Sequence, residues 1–91
     1  MNVKYVQRDQ CEATQLEDEW VILDTHLYTI TKLNEVGGFC WSLLTQPRSL
    51  DMLVQAVTDK YNAKSSIETV QQDVENFLSD LISYGLLEHA S

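Results

Sequence analysis

The chain has 91 residues, of which 44% are hydrophobic, and its 14 acidic and 6 basic residues leave a formal net charge of −8. This length is sufficient for one small domain, and the hydrophobic fraction is too high for a disordered chain. The charge argues against nucleic acid and anionic membranes as partners, because clustered lysine and arginine bind both. No apolar run approaches the roughly 18 residues of a membrane span, and no signal core precedes the domain. With only 2 cysteines, we expect a reduced, cytoplasmic setting.

The first third of the sequence has the pattern of β-strands. Apolar residues alternate loosely over positions 3–16, and the run Trp20-Val21-Ile22-Leu23 is rich in aromatic and β-branched side chains. Polar turns at 17–19 and 24–26 separate these runs from a third one at 27–33. Strands that follow one another through short turns predict a three-stranded antiparallel sheet.

The rest of the sequence predicts three helices, in which apolar residues recur at spacings of three and four. The first begins after Asn34, a good N-cap, and Pro47 stops it near residue 45. The second follows Ser49, and the third follows the capping box Ser65-Ser66-Ile67-Glu68 and ends at Gly85. Strands followed by helices predict an α+β fold, with the helices on one face of the sheet.

Two glycines lie in the first turns of the first helix, where each costs about 1 kcal/mol relative to alanine. Close packing of this helix against the sheet or the third helix would account for Gly37 and Gly38. Room for the approach of another backbone is the alternative. We favour packing, and we also expect Trp41 to pack in the core.

Little in the sequence resembles catalytic or metal-binding chemistry. The possible soft metal ligands are Cys11, His26, Cys40 and His89, and no two of them have the usual spacing of a ligand pair. No glycine-rich loop or strained elbow presents a nucleophile. We therefore expect no catalytic residue, no metal and no cofactor.

Acidic residues concentrate in the first quarter of the chain. We expect a solvated sheet edge and turn there, with a docking patch for a basic partner segment as the alternative. The residues are Asp9, Glu12, Glu17, Asp18, Glu19 and Asp24.

The third predicted strand is the best candidate for a binding site. Residues 27–31 contain neither the charge nor the proline that usually blunts an exposed sheet edge. An unblunted edge beside an apolar helix favours β-augmentation, in which a peptide adds as a further strand. Alternatively, Leu86 and Leu87 or a second copy of the chain cover this edge.

Several short motifs, in order and at matching spacing, resemble the PqqD-like family, whose members are also called RiPP recognition elements. The first set is Leu23-Asp24, Leu33-Asn34-Glu35-Val36-Gly37 and Trp41. The second set matches the family's final helix and the segment that follows it: Asp73-Val74, Phe77-Leu78, Leu81 and Gly85-Leu86-Leu87. The likeness runs without gaps from about residue 20 to 87. The Asn-Glu-Val-Gly version is most like the stand-alone B1 proteins of lasso-peptide gene clusters.

The resemblance implies a winged-helix-like fold of three antiparallel strands and three helices, in a single leader-peptide-binding domain over residues 1–91. It implies that the chain binds the leader segment of a ribosomally synthesised precursor peptide by strand addition. The chain would present the leader to a separate leader protease and cyclase in lasso-peptide biosynthesis, without chemistry of its own. The implied peptide-binding residues are Leu27, Tyr28, Thr29, Ile30, Thr31, Val70, Asp73, Val74, Phe77 and Leu81.

Some features stay open at this point. Many relatives carry glycine near position 28 and an aromatic residue near position 30, where this chain has Tyr28 and Ile30. Only one parity of the strand faces the leader, and the sequence does not say which. The precursor, its anchor residues and the oligomeric state are also open.

Two other functions are kept as alternatives. One is a PqqD-like peptide carrier for a radical SAM peptide-modifying enzyme. The other is a winged-helix DNA-binding regulator, which the charge of −8 disfavours. The second and third predicted helices contain only Lys60 as a basic residue.

Overall fold

The computed structural model describes residues 3–61 and 66–90. The strands are β1 (Lys4–Gln7), β2 (Cys11–Leu16), β3 (Glu19–Asp24), β4 (Thr29–Leu33), β5 (Arg48–Ser49) and β6 (Leu87–Ala90). The helices are α1 (Glu35–Leu43), α2 (Leu50–Tyr61) and α3 (Ile67–Ser83). Within these residues the antiparallel sheet β2-β3-β4 precedes three helices, which confirms the predicted winged-helix-like α+β fold. No described helix is both long and apolar enough to cross a membrane.

The strands at the two ends of the chain form a second sheet that the sequence did not predict. Positions 3–16 form two strands rather than one, because the chain turns between β1 and β2. β1 pairs antiparallel with β5 on one side and with β6 on the other. The segment after α3 is therefore an extra strand that fastens the C-terminal end to the N-terminal strand.

The third strand of the β2-β3-β4 sheet begins later than predicted. Leu27 and Tyr28 lie in the turn that leaves β3, so their assignment to the strand is wrong. Tyr28 has a φ of 56°, in the left-handed region, which an extended strand does not allow. β4 starts at Thr29.

The core lies between the sheet and the helices. Ile22 on β3 is fully buried, and Trp41 on α1 is only 2% exposed, as expected of a core residue. The Trp41 carbonyl accepts a 2.6 Å hydrogen bond from Gln7 Nε2, which joins α1 to β1. The other largest buried side chains are Leu44, Leu53, Leu81, Leu86 and Cys40.

The start of α1 is pressed against its neighbours, and this confirms the packing explanation for its two glycines. A Cβ on Gly38 would lie 1.8 Å from Cδ1 of Trp20, so the indole occupies the space that a side chain would need. A Cβ on Gly37 would lie 3.3 Å from the Phe77 ring of α3. Asn34 is the N-cap as predicted, and its Oδ1 accepts a 2.7 Å hydrogen bond from the Gly37 N–H.

Both ends of α3 are capped, although the N-terminal cap differs from the prediction. Ser66 is the N-cap, and its Oγ accepts the Thr69 N–H at 3.2 Å, so the third helical position is Thr69 and not Glu68. Ser65 of the predicted box lies outside the described residues. At the other end Gly85 has the predicted left-handed conformation, with φ 78°, and donates to the Ile82 carbonyl at 3.0 Å. The next amide reaches back to Leu81, which completes a Schellman motif.

Candidate functional site

β4 presents an open edge. It pairs with β3 on one side, from Trp20 opposite Leu33 to Asp24 opposite Thr29. Within the described residues no strand pairs with its other side. β6 pairs with β1 instead, so the alternative in which Leu86 and Leu87 cover the edge is wrong. Every second residue of β4 therefore offers an unpaired N–H and C=O to an incoming chain.

A groove runs between this open edge and α3. Its volume is about 570 Å³, within the range of roughly 300–1,000 Å³ typical of ligand sites. The five residues of β4 give it a length of about 17 Å, enough for four or five residues of an extended peptide. Its lining is Thr29, Ile30, Thr31, Lys32 and Leu33 from β4 with Phe77, Asp80, Leu81 and Tyr84 from the helix and its end.

The pairing of β3 with β4 decides which strand residues face α3. Thr31 lies opposite Ile22, which is fully buried beneath the helices, and directly opposed residues share a face of the sheet. Thr29, Thr31 and Leu33 therefore face the helices. The side chains of Ile30 and Lys32 point to the opposite surface, so these two residues border the groove at the strand edge and not with their side chains; Ile30 is 67% exposed.

A second pocket shares one lining residue with the groove. Its volume is about 290 Å³, and it lies between the start of α1 and the middle of α3. Phe77 lines both the groove and this pocket. The remaining lining residues are Asn34, Val36, Gly37, Cys40, Asp73 and Val74.

A buried carboxylate builds the turn that leads into β4. Asp24 is fully buried, and its Oδ1 accepts the N–H groups of Leu27 at 3.0 Å and His26 at 2.8 Å. The bond from Leu27, supported by that from His26, holds the pKa of this carboxyl below its ordinary value against the opposing effect of burial. The Tyr28 N–H also donates to the Asp24 backbone carbonyl at 2.8 Å. Asp24 is therefore not part of the solvated acidic cluster in which the sequence placed it.

The comparison with protein-family models identifies this architecture. The model described as Coenzyme PQQ synthesis protein D (PqqD) matches residues 19–87. The chain belongs to the PqqD family. This confirms the resemblance drawn from the short motifs between residues 20 and 87. No curated protein sequence matches the chain.

Two solved structures resemble this PqqD-family protein over nearly its whole length. TbiB1, in complex with the TbiA(beta) leader peptide, is 28% identical and superposes with a TM-score of 0.81 over 94% of this chain and 98% of TbiB1. A lasso peptide synthetase B1 complexed with its leader peptide gives a TM-score of 0.78 over 92% of this chain and 96% of that one. The latter is only 17% identical and supports the shared fold alone.

The structure brings five of the ten predicted site residues of this PqqD-family protein to the groove. Thr29, Ile30, Thr31, Phe77 and Leu81 line the groove. Asp73 and Val74 line the second pocket instead. Val70 is 8% exposed and lines neither cavity, so it belongs to the core, and Leu27 and Tyr28 lie in the turn before β4.

Asp73 is a charged residue beside the apolar stripe of α3. Such a charge needs a partner only where it is buried. Asp73 is exposed at the edge of the second pocket, so solvent satisfies its charge in the folded protein. It therefore needs no partner to be stable there.

Four residues that line the groove were not among the predicted site residues: Lys32, Leu33, Asp80 and Tyr84. The helical spacing from Phe77 would have found Asp80 and Tyr84, since residues three, four and seven positions apart share a helix face. The continuation of the strand to its predicted end at residue 33 would have found the other two. The groove therefore extends further than predicted along both the strand and the helix, towards the C-terminal end of each.

The chemistry of this surface suits binding. Burial raises the pKa of the Cys40 thiol in the second pocket to about 11, so the thiol is protonated and weakly nucleophilic at neutral pH. Within residues 3–61 and 66–90 no group of three His, Cys, Asp or Glu side chains is placed to hold a metal ion. The groove offers an unpaired backbone edge and a wall of apolar and polar side chains.

Proposed function

We propose that this PqqD-family protein binds the leader segment of a ribosomally synthesised precursor peptide by strand addition at β4. It presents the leader to a separate leader protease and cyclase in lasso-peptide biosynthesis, and it performs no chemistry itself. The observation that carries the proposal is a five-residue strand edge that no described strand pairs with and that faces a helix across a groove. The leader peptide bound to TbiB1, a protein of the same fold and 28% identity, supports it.

The proposal places the leader at β4 rather than at β2, the other outer strand of the sheet. All β2 residues after Cys11 are exposed, so a strand added there would gain backbone hydrogen bonds and little buried surface. A strand added at β4 would also bury every second side chain against Phe77 and Leu81. Burial of apolar side chains contributes about 25 cal/mol per Å², which favours β4.

The site residues follow from this placement. Thr29, Ile30 and Thr31 supply the strand, and Phe77 and Leu81 supply the wall that contacts the groove-facing side chains of the leader. Asp73 and Val74 lie where the leader continues beyond the strand, in the second pocket. Val70 supports the site from the core, and the acidic Asp80 favours a basic or hydrogen-bond-donating leader side chain nearby.

Calorimetry with the synthetic leader segment of a candidate precursor peptide tests binding directly. We expect a dissociation constant in the micromolar range or tighter, equivalent to about −8 kcal/mol. Amide exchange measured by NMR then reports where the leader lies. We expect new protection in β4, while the amides of β2 serve as the internal control and stay unchanged. Absence of binding, or protection in β2 instead, would contradict the proposal.

A pair of proline variants tests the role of the backbone edge. Successive N–H groups of β4 alternate between β3 and the open edge. Of Ile30→Pro and Thr31→Pro, we expect one to destabilise the sheet and the other to fold but lose most of its affinity for the leader. Ile30→Ala and Thr31→Ala keep the N–H groups and separate side-chain effects from backbone effects. Two proline variants that both fold and bind like the unmodified protein would refute strand addition.

In the alternative function, the protein binds a peptide in the same groove but delivers it to a radical SAM enzyme. The family's link to coenzyme PQQ synthesis is the observation that favours this alternative. Adding the protein to each candidate enzyme with the same leader distinguishes them. We expect faster cleavage by the leader protease and no effect on a radical SAM enzyme. The reverse result would establish the alternative.

A further inference from the structure

The outer face of the sheet, opposite the groove, carries exposed apolar side chains beside β4. Ile30 is 67% exposed, and Leu23, directly opposite it on β3, is 36% exposed. Tyr28 in the preceding turn is 86% exposed. Contiguous exposed apolar side chains are typical of surfaces that contact a partner.

Tyr28 is the most unusual of these residues. Its φ of 56° is a conformation that glycine adopts freely and that is costly for a bulky side chain. The turn is held by Asp24 through backbone N–H groups, so it does not depend on which side chain stands at position 28. Because the ring is 86% exposed, it also adds little to the core. The ring is therefore accessible to a partner.

A leader strand at β4 would reach this outer face. Its side chains would alternate, those opposite Thr29 and Thr31 entering the groove and the one opposite Ile30 pointing away from it. Directly opposed side chains on neighbouring strands lie with their Cβ atoms about 5 Å apart and interact. The leader would thus add a fourth strand to the outer face, next to Ile30 and close to the turn that carries Tyr28.

We propose that Ile30 and Tyr28 bind an apolar side chain of the leader on this outer face, so that the leader is recognised on both faces of the added strand. The inference rests on the proposed function and names a further determinant of its specificity. An isoleucine and a tyrosine select an aliphatic, β-branched or aromatic partner, because such pairs are the favourable ones across strands. The leader therefore carries such a residue at an odd number of positions from the residues that enter the groove.

Three variants test this proposal by calorimetry with the same synthetic leader that binds the unmodified protein. Ile30→Thr keeps a β-branched side chain and removes apolar surface, and we expect about three- to fivefold weaker binding. For Tyr28→Gly we expect a similar loss together with a higher melting temperature, since the strained conformation is relieved. Leu16→Thr is the matched control, because Leu16 is 55% exposed on the same face but lies on β2, away from the open edge. We expect it to bind like the unmodified protein.

Changes in the leader complete the test. Each strand-forming leader residue is replaced in turn by threonine and titrated against the unmodified protein and against Ile30→Thr. We expect one position, an odd number of residues from the groove-facing anchors, whose replacement weakens binding to the unmodified protein but not to Ile30→Thr.

Other outcomes would overturn the inference. If Ile30→Thr and Tyr28→Gly bind the leader as tightly as Leu16→Thr does, the outer face does not recognise the leader. The proposed function would not be affected by that result. If the same variants bind the leader normally but slow its cleavage, the surface docks the protease instead. No binding by the unmodified protein would refute the proposed function itself. Circular dichroism melts check folding, and Tyr28→Gly remains decisive if Ile30→Thr is unstable.

Discussion

Replacing Gly38 with alanine tests how α1 is seated on the sheet. The added Cβ would lie 1.8 Å from Cδ1, 2.1 Å from Nε1 and 2.3 Å from Cγ of Trp20. These atoms belong to the near side of a rigid ring, so the indole or the helix must move. Overpacking costs about 1–3 kcal/mol, and three contacts this short place the cost near the upper end, whereas alanine gains about 1 kcal/mol over glycine in a helix. We expect a net loss of about 2 kcal/mol in the free energy of unfolding.

Urea unfolding followed by circular dichroism measures this loss as a fall of roughly 1 M in the midpoint. The same substitution in a Trp20→Ala background is the control. With the indole absent only helix propensity remains, so Gly38→Ala should then stabilise the protein by about 1 kcal/mol. The reasoning is refuted if Gly38→Ala is neutral or stabilising in the unmodified protein, or if it has the same effect in both backgrounds.

Substitutions at three further positions test the turn and the caps that frame the groove. Asp24→Asn should lower the free energy of unfolding at pH 7. The pKa of this carboxyl is lower in the folded protein than its unfolded value of about 3.9, so the ionised group stabilises the fold above that value and stops doing so as pH falls through the folded pKa. The difference in free energy of unfolding between the two proteins, measured by urea titration, should therefore close below about pH 4. A difference that does not depend on pH would contradict this. Gly85→Ala should lower the stability measured by thermal unfolding by about 1–2 kcal/mol, and Gly85→Asn by less. The φ of Gly85 is 78° and the nearest atom to an added Cβ, Leu27 Cδ1, is 3.7 Å away, so backbone strain and not a clash is the cause. Equal losses for the two variants would count against backbone strain. Asn34→Ala should cost about 1 kcal/mol through the lost bond from the Gly37 N–H, while Asn34→Asp keeps an acceptor and should unfold near the unmodified midpoint.

Local signals in the sequence were sufficient for the elements that depend on near neighbours. Asn34 caps α1 and Gly85 ends α3 because each acts within one turn of its own helix. The alternation and turn residues of the first third led to the β2-β3-β4 sheet, and strands before helices led to the α+β class. The same short motifs identified the family.

The errors lie where burial or a side chain–backbone hydrogen bond overrides the pattern of the side chains. Leu27 and Tyr28 have side chains suited to a strand, yet the Asp24 carboxylate accepts the N–H groups of His26 and Leu27, two and three residues later, and holds this segment in a turn. Asp24 itself was placed in solvent with its acidic neighbours, because the sequence does not show that it lies under the fold. Val70 has the spacing of a groove residue and the burial of a core residue.

The sequence by itself therefore determined the fold class, the caps at Asn34 and Gly85, and the family, since these depend on periodicity and on contacts within a few residues. Only the tertiary structure decided that β6 pairs with β1 and leaves the edge of β4 open. It also decided that Thr29 and Thr31 face α3 while Ile30 faces outward. Strand register links residues far apart in the chain, and a shift of one residue exchanges the two faces. The parity of a binding strand is for this reason set by its partner strand and not by its own residues.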